Sequence, residues 1–179
     1  AGSLFAGIIA AMTDDLKQVI IYTDGACIGN PGPGGYGVVL KRGRARKELS
    51  AGFQHTTNNR MELMAAIAGL ELLREPCRVQ LFTDSRYLAD AMQQGWAQQW
   101  RSRKWKREKG GRALNPDLWG RLLDLCEKHQ VEFIWIKGHA DTPENKRCDQ
   151  LAQAAARQNS LPPDPGYEQT LADTPPRLF

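Results

Sequence analysis

The sequence contains few of the features that export, anchor or cross-link a protein. Its four cysteines form no Cys-x-x-Cys pair, and their spacing suits neither a zinc site nor a disulfide framework, so we expect reduced thiols. No apolar run approaches the ~20 residues that a membrane span needs. The first twelve residues contain no Lys or Arg, which argues against an intact signal peptide. We therefore expect a cytoplasmic protein with no membrane partner.

The length of 179 residues predicts one domain with at most a short appendage. We predict that the domain covers residues 15–158. Residues 1–14 form an extension that is either processed or foreign to the native protein, because the chain opens on Ala and Met12 could be the natural start. Residues 159–179 are rich in proline and predict a loosely ordered tail. The sequence shows no internal repeat.

The positive charge of the chain is concentrated in two runs. The formal net charge is +4, and residues 41–47 and 101–112 together hold 12 of the 24 Lys and Arg. Such runs are usually solvated faces. The second run is interleaved with tryptophans, however, and this combination favours a nucleic-acid surface.

Hydrophobic periodicity and turn residues predict an alternation of strands and helices. Residues 29–35, GNPGPGG, predict a turn with neither helix nor strand. The predicted strands are residues 17–23, 36–41, 48–53, 79–83 and 131–136. We expect the first three to form an antiparallel meander and the fourth to pair in parallel with its neighbour. The predicted helices are residues 61–73, 85–94, 96–106, 116–129 and 143–157. This order favours an α/β fold, with a mixed sheet covered by helices on both faces.

Four acidic residues lie in four separate segments, each within a distinct short signature. Asp24 and Asp84 each follow a predicted strand, whereas Glu62 and Asp149 lie in predicted helices. Because the carboxyl ends of neighbouring strands converge on one crevice, the fold can bring all four together. Clustered carboxylates repel and stay ionised only when a cation neutralises them, so a divalent-metal site is the first hypothesis. Two such ions could stabilise the attacking and leaving oxygens of a phosphoryl displacement.

Each of these residues also has a structural interpretation. Glu62 could complete a capping box with Asn59, three residues before it. Asp24 could serve a turn with Gly25, Asp84 could cap the next helix, and Asp149 could be a solvated carboxylate. His139 alone is an equally weak signal. The metal hypothesis therefore depends on the joint pattern.

The joint pattern closely resembles the bacterial type of ribonuclease HI, over residues 17–158. The chain contains TDGACIGNPGPGGYG, TTNNRMELMAA, TDS, a W-x-x-x-W followed by a basic stretch, and KGHA-x-x-PEN-x-RCD-x-LA, in family order and spacing. The resemblance implies a ribonuclease H-like fold, with a five-stranded mixed sheet flanked by helices on both faces and a basic, Trp-rich protrusion.

The resemblance also implies a reaction, which is endonucleolytic cleavage of the RNA strand of an RNA–DNA hybrid by two-metal-ion hydrolysis. The products carry 5′-phosphate and 3′-hydroxyl ends. Asp24, Glu62, Asp84 and Asp149 match the family's metal-binding carboxylates, with two Mg²⁺ ions when substrate is bound and Mn²⁺ as a substitute. In this scheme Asp24 bridges both ions, Asp149 holds the nucleophile's ion, and Glu62 and Asp84 serve the leaving group. His139 matches a loop histidine that assists proton movement or product release.

Substrate contacts follow from the same resemblance. Asn30, Asn58 and Asn59 match residues that read the minor groove of the hybrid, where 2′-hydroxyls distinguish RNA from DNA. Thr57 and Asn115 match a pocket for a DNA-strand phosphate, and Tyr87 and Trp96 match the aromatic wall for a deoxyribose. The remaining matches, in the protrusion that supports the DNA strand, are Trp100, Lys104, Trp105, Lys106 and Arg107.

The chain departs from the family pattern at three positions outside the carboxylates. His55 stands where relatives often have Arg in the phosphate pocket, which predicts weaker and more pH-sensitive binding. Gly95 is a one-residue insertion before Trp96, and Arg86 follows TDS where an uncharged residue is common. Since no carboxylate is missing, we expect activity to survive.

Two other functions compete with a hybrid-specific ribonuclease. A non-catalytic hybrid-binding module would be expected to lack a carboxylate, and none is missing. A DNA-cutting nuclease of the same fold would be expected to lack the Trp-rich basic protrusion and the Asn-Asn pair. We also expect a monomer, because no assembly surface is evident.

Overall fold

The computed structural model describes residues 15–138 and 142–174 of the chain. The strands are β1 (Lys17–Cys27), β2 (Gly32–Arg42), β3 (Ala45–Thr56), β4 (Cys77–Thr83) and β5 (Gln130–Trp135). The helices are α1 (Asn58–Glu71), α2 (Arg86–Gln93), α3 (Trp96–Ser102), α4 (Pro116–Lys128), α5 (Pro143–Ala156) and α6 (Pro165–Ala172). No helix within the described ranges is long and apolar enough to cross a membrane.

The strands form one mixed five-stranded sheet in the order β3-β2-β1-β4-β5. β1, β2 and β3 pair antiparallel as a meander, and β4 and β5 extend the sheet in parallel with β1. The helix between this meander and β4 supplies the crossover that a parallel pair requires. The predicted mixed sheet, the antiparallel meander and the parallel pairing of β4 are confirmed.

Helices cover the sheet on both faces. On β2, Val38 points to α1, where a Cβ on Gly69 would lie 3.2 Å from its Cγ1. The neighbouring Gly37 faces α5 instead, where an added Cβ would lie 2.8 Å from the Cβ of Leu151. Because successive residues of a strand point to opposite faces, α1 and α5 pack on opposite sides of the sheet.

The glycine-rich segment is not the simple turn that its composition predicted. β2 begins at Gly32, so the second half of residues 29–35 is strand. The reason is tertiary: α5 packs so closely that a Cβ on Gly35 would lie 2.5 Å from the carbonyl oxygen of Ala152. Glycine is needed here for the close approach of a helix to a strand.

The helix predicted over residues 96–106 is too long, since α3 ends at Ser102. Lys104 and Trp105 have positive φ angles of 52° and 65° and reverse the chain. An isolated bridge between Lys106 and Arg112 then closes a short hairpin. The reversal lets the Trp105 side chain pack against the core, which the basic composition of the segment did not indicate.

The prediction of a loosely ordered segment from residue 161 onward is wrong for residues 161–174. Residues Pro165–Ala172 form α6, and the backbone N–H of Gln54 donates to the carbonyl oxygen of Pro162 at 2.9 Å. Asp164 caps α6 and is only 5% exposed. This backbone bond and the buried Asp164 carboxylate, which accepts from Thr56 and Arg60, attach the proline-rich segment to the end of β3 and the start of α1.

Candidate active site

Four acidic side chains line one open cleft at the carboxyl end of β1. Asp24, Glu62 and Asp84 each offer a carboxylate oxygen, and these oxygens lie within 4.8 Å of one another. Asp149, on α5, lines the same cleft, whose volume is about 460 Å³. The structure thus brings together all four carboxylates that the sequence singled out.

Strand register and close packing place three of these groups. Thr23 on β1 is level with Thr83 on β4, so the next residues lie side by side: Asp24, which is still within β1, and Asp84, which follows the end of β4. Glu62 reaches them because α1 lies close to β1: a Cβ on Gly25 would be 2.5 Å from the backbone nitrogen of Glu62. Any larger residue after Asp24 would push that helix away.

The carboxylates of the cluster repel one another strongly. Burial, together with the charges of Asp84 and Asp149, raises the pKa of Asp24 from 3.8 to about 8. Burial and the charges of Asp24 and Asp84 raise the pKa of Glu62 well above its ordinary value. Within the described residues, Glu62 Oε2 has no hydrogen-bond partner. A buried set of mutually repelling oxygen donors with an unpaired atom fits a hard divalent cation.

Asn145 belongs to this cleft and was not among the predicted site residues. It lies in the first turn of α5, is 3% exposed and lines the cleft beside the carboxylates. Its Oδ1 has no partner among the residues that the structure describes. The signal was present in the sequence, because Asn145 lies in the PEN-x-RCD signature four residues before Asp149.

His139, the predicted loop histidine, lies outside the described residues. The described chain resumes at Thr142, immediately before α5. At the other side of the gap, a Cβ on Gly138 would lie 2.8 Å from Asp84 Oδ2. Gly138, the last described residue before the gap, therefore lies next to the carboxylate cluster.

The three asparagines predicted to read the minor groove lie at or near the start of α1. The Asn58 N–H donates to Asn30 Oδ1 at 3.0 Å, which ties the β1–β2 loop to the helix. Asn59 is exposed on the next helical position. Because Glu62 lies on the same helix, the predicted groove contacts and a carboxylate share one rigid element.

The residues predicted to grip a phosphate are linked through Arg60. Thr57 caps α1 by accepting from the Arg60 N–H at 3.3 Å. Asn115, which precedes α4, accepts from Arg60 Nη1 at 3.3 Å and donates to the Tyr87 hydroxyl at 3.0 Å. His55 lies at the end of β3, with its ring centroid 5.3 Å from that of Tyr167.

A second cleft, of about 570 Å³, separates α2 and α3 from the hairpin of residues 103–114. Its lining includes Tyr87, Trp96, Trp100 and Arg107 among the predicted substrate contacts. Trp96 is 45% exposed, whereas Trp100 is braced edge-on against the buried Trp119 at 5.7 Å. We call this the aromatic cleft.

The remaining predicted contacts lie outside the aromatic cleft. Trp105 packs against the core, and Lys104 and Lys106 are exposed on the hairpin. Other cations of the run are paired: Arg101 contacts Asp124 and Glu127, and Arg103 contacts Glu108. The exposed charge of the hairpin therefore resides mainly in Lys104, Lys106, Arg107 and its neighbours.

Arg86, one of the departures from the family pattern, stacks on Trp135 two residues after Asp84. Its guanidinium carbon is 3.5 Å from the ring centroid of Trp135, and the Trp135 Nε1–H donates to the carbonyl oxygen of Asp84. Arg86 also lines the aromatic cleft. The sequence did not predict this stacking of Arg86 on Trp135.

Comparisons with known proteins agree with this architecture. The family model described as RNase H matches residues 16–157. The ribonuclease H of Desulforamulus reducens is 63% identical over 150 residues, covering 84% of this chain and 94% of the relative. The ribonuclease H of Syntrophus aciditrophicus is 59% identical over 157 residues, covering 88% and 91%. The crystal structure of LC11-RNase H1 in complex with RNA/DNA hybrid is 27% identical, with a TM-score of 0.60, covering 77% of this chain and 96% of that one.

Proposed function

The chain belongs to the ribonuclease H family, and we propose that it cleaves the RNA strand of RNA–DNA hybrids by divalent-metal-dependent hydrolysis. The products carry 5′-phosphate and 3′-hydroxyl ends. The catalytic unit is the domain formed by residues 15–158. The observation that carries the proposal is the buried carboxylate cluster, in which three carboxylates converge within 4.8 Å.

Asp24, Glu62, Asp84 and Asp149 would hold the metal, with Mg²⁺ as the ion and Mn²⁺ as a substitute. All four offer hard oxygen donors, and the raised pKa values of Asp24 and Glu62 are the signature of a site built for a cation. When bound, two such ions supply activation of a water nucleophile and neutralise charge on the leaving oxygen. Asn145 offers a further neutral oxygen at the same cleft.

The protein's own side chains orient the hybrid relative to the carboxylates. Asn30, Asn58 and Asn59 contact base edges and 2′-hydroxyls in the wide minor groove, which displays features that B-form DNA lacks. Amide groups can donate and accept, so they tolerate different base sequences. His139 moves a proton or assists product release.

The DNA strand is held along a separate surface. His55, Thr57 and Asn115 grip one of its phosphates, and Tyr87 and Trp96 pack against a deoxyribose at the aromatic cleft. Trp100 and Trp105 brace the hairpin, and Lys104, Lys106 and Arg107 neutralise phosphates. Selectivity results from the need for RNA at the carboxylates and DNA in this second groove.

One labelled sequence tests the proposal when it is offered as hybrid, RNA duplex, DNA duplex and single-stranded RNA, each with Mg²⁺ and with chelator. We expect metal-dependent cutting of the RNA strand in the hybrid alone. Cutting of the DNA duplex would favour a DNA nuclease of the same fold. Tight binding of the hybrid without cutting would favour a non-catalytic binding module.

We also propose a monomeric, cytoplasmic enzyme. The four cysteines are unpaired, and Cys77 and Cys148 are buried, which suits a reducing compartment. Light scattering after size-exclusion chromatography tests the monomer at about 20 kDa. A mass near twice this value would contradict it.

A further inference from the structure

Arg60 is a buried charged side chain whose N–H donors are all used, and it lies between the proposed phosphate contacts. It is 1% exposed, and its guanidinium makes five hydrogen bonds to three side chains. Two go to Asp164, at 2.7 and 2.9 Å, and two go to Asp117, at 2.9 and 2.7 Å. The fifth goes to Asn115. A guanidinium has five N–H donors, so none is left for another ligand.

This arrangement determines how the Asn115 amide is oriented. A guanidinium can only donate, so the atom of Asn115 that faces Arg60 must be the oxygen. The Nδ2 group then points away, and one of its hydrogens is donated to the Tyr87 hydroxyl at 3.0 Å. The other is available for an acceptor. A phosphate is recognised through donors, so a flipped amide would present the wrong atom.

Asn115 is free to take this role because its side chain makes no cap bond to the helix that it begins. It is the N-cap residue of α4, and its backbone is left-handed, with φ 56° and ψ 43°. Asparagine tolerates this conformation better than most residues. The side chain that would otherwise cap α4 is instead held between Arg60 and Tyr87.

The segment of residues 161–172 packs against Arg60 and accepts hydrogen bonds from its guanidinium. Asp164 accepts from Thr56 Oγ1 at 2.7 Å in addition to its two bonds from Arg60. Gly166 lies against the same guanidinium, since a Cβ there would be 2.6 Å from Arg60 Nη2. We call residues 161–172 the C-terminal strap. It lies near each proposed phosphate ligand. The Tyr167 ring packs near His55, and Asp164 accepts from Thr56, the residue before Thr57. Asp164 also binds Arg60, which donates to Asn115.

We propose that Asp164, acting through Arg60, is a positioning residue that orients the Asn115 amide toward the DNA-strand phosphate. The C-terminal strap is therefore part of the nucleic-acid-binding site. This inference rests on the proposed role of Asn115 in phosphate binding. Asp164 and Arg60 themselves do not touch the substrate, since both are buried and their hydrogen-bonding groups are occupied.

Steady-state kinetics on a hybrid substrate tests the inference, at a temperature well below the unfolding transition of every variant. We expect Asn115→Ala to raise KM roughly tenfold with kcat nearly unchanged, as for loss of one hydrogen bond to a charged group. Asp164→Asn and the charge-preserving Arg60→Lys should raise KM by a similar factor. Neither can rebuild the five-bond arrangement. Either variant suffices if the other fails to fold.

A double-mutant cycle separates positioning from general destabilisation. If Asp164 acts through Asn115, then Asp164→Asn combined with Asn115→Ala should show the KM of Asn115→Ala alone. Val131→Ala, in β5, is the control that lowers stability away from the strap and should leave KM unchanged. Additive increases in KM, or a lowered melting temperature with unchanged KM for Asp164→Asn, would overturn the inference.

The same measurements distinguish this inference from the proposed function. If Asn115→Ala raises KM but Asp164→Asn and Arg60→Lys do not, only the positioning role fails. If Asn115→Ala leaves KM unchanged, the assigned phosphate contact fails, and the inference fails with it. If the unmodified protein does not cleave the hybrid at all, the proposed function itself is wrong.

Discussion

Asp24 occupies a position where burial and two neighbouring carboxylates all oppose its charge. Such a residue contributes little to stability as an anion and is retained in a fold only where a cation or a proton compensates it. Asp24 interacts electrostatically with Asp84 and Asp149 and lies within reach of Glu62, so we expect it to be the residue on which metal binding depends most.

We predict that Asp24→Asn lowers hybrid cleavage by at least about 10³-fold, because it removes a central metal ligand and with it much of the transition-state stabilisation. Hybrid binding should persist, since the asparagines and the basic hairpin are untouched. Cleavage is measured with a labelled RNA strand, and binding by anisotropy. The matched control is Asp15→Asn, an exposed position with the same change of charge. Substantial cleavage by Asp24→Asn would remove this residue from its proposed role.

The raised pKa of Asp24 also predicts how pH and metal act on stability. Between pH 4 and 8, the folded chain binds a proton at Asp24 that the unfolded chain does not, so metal-free stability falls as pH rises through this window. Glu62 acts in the same direction. Because Mg²⁺ binds the ionised form, it should stabilise the fold far more at about pH 8.5 than at about pH 5.

Thermal unfolding with Mg²⁺ or chelator at these two pH values provides the measurement. Asp24→Asn serves as the comparison, and its melting temperature should be less sensitive both to pH and to the ion. An equal effect of Mg²⁺ at the two pH values would show that the carboxylates are not protonated in the metal-free protein.

At the scale of elements, the hairpin of residues 103–114 carries exposed positive charge away from the carboxylates. Lys104, Lys106 and Arg107 are exposed on it. We predict that replacing all three by Ala weakens hybrid binding and reduces the slope of log K against log salt by about one for each phosphate that is no longer neutralised. Binding isotherms at several salt concentrations give the slope.

The chain offers a control with the same change in net charge. Arg42, Arg44 and Lys47 lie at the β2–β3 turn, at the opposite end of the sheet from Asp24. Replacing these three by Ala should leave the slope nearly unchanged. Equal effects of the two triple variants would mean that the hairpin contributes only through the net charge of the molecule.

The elements also show what sequence patterns can and cannot predict. The strands and most helices followed from periodicity, and the four carboxylates followed from their signatures. The start of β2 at Gly32 did not, because those glycines are strand-forming only where α5 packs against them. Likewise, α3 ends early because Trp105 turns back to the core. In both places tertiary packing overrides local composition.

The Arg60 network is the part of the site that no local pattern could have indicated. Its partner Asp164 lies 104 residues away in a proline-rich segment, and the composition of that segment predicts disorder. A buried long-range charge pair, the Thr56 hydroxyl and the backbone bond from Gln54 to Pro162 together order it. A pairing of this kind becomes visible only when the fold brings its members together.

For the molecule as a whole, the C-terminal strap is bonded to the end of β3 and the start of α1, and Arg60 extends the connection to the start of α4. Burial acts to lower the pKa of Arg60, but its bonds to Asp117 and Asp164 outweigh this effect and raise it. The guanidinium stays charged in any case, so the two carboxylates compensate a positive charge that would otherwise be buried without a partner.

We predict that a chain ending at Ser160 is destabilised by roughly 3 kcal/mol, because it removes one of the two carboxylates that compensate the buried charge of Arg60 and leaves two of its N–H donors without a partner. Urea unfolding measures the loss. A chain ending at Thr174 keeps α6 and every strap contact described above, so its stability should match that of the full chain. If the chain ending at Ser160 unfolds at the same urea concentration as the full chain, Arg60 is held sufficiently by Asp117, and the strap is dispensable for the fold.

The intermediate variant Asp164→Asn removes the charge while leaving α6 in place. It should lose most of the same free energy if the ion pair, rather than the packing of α6, holds the molecule together here.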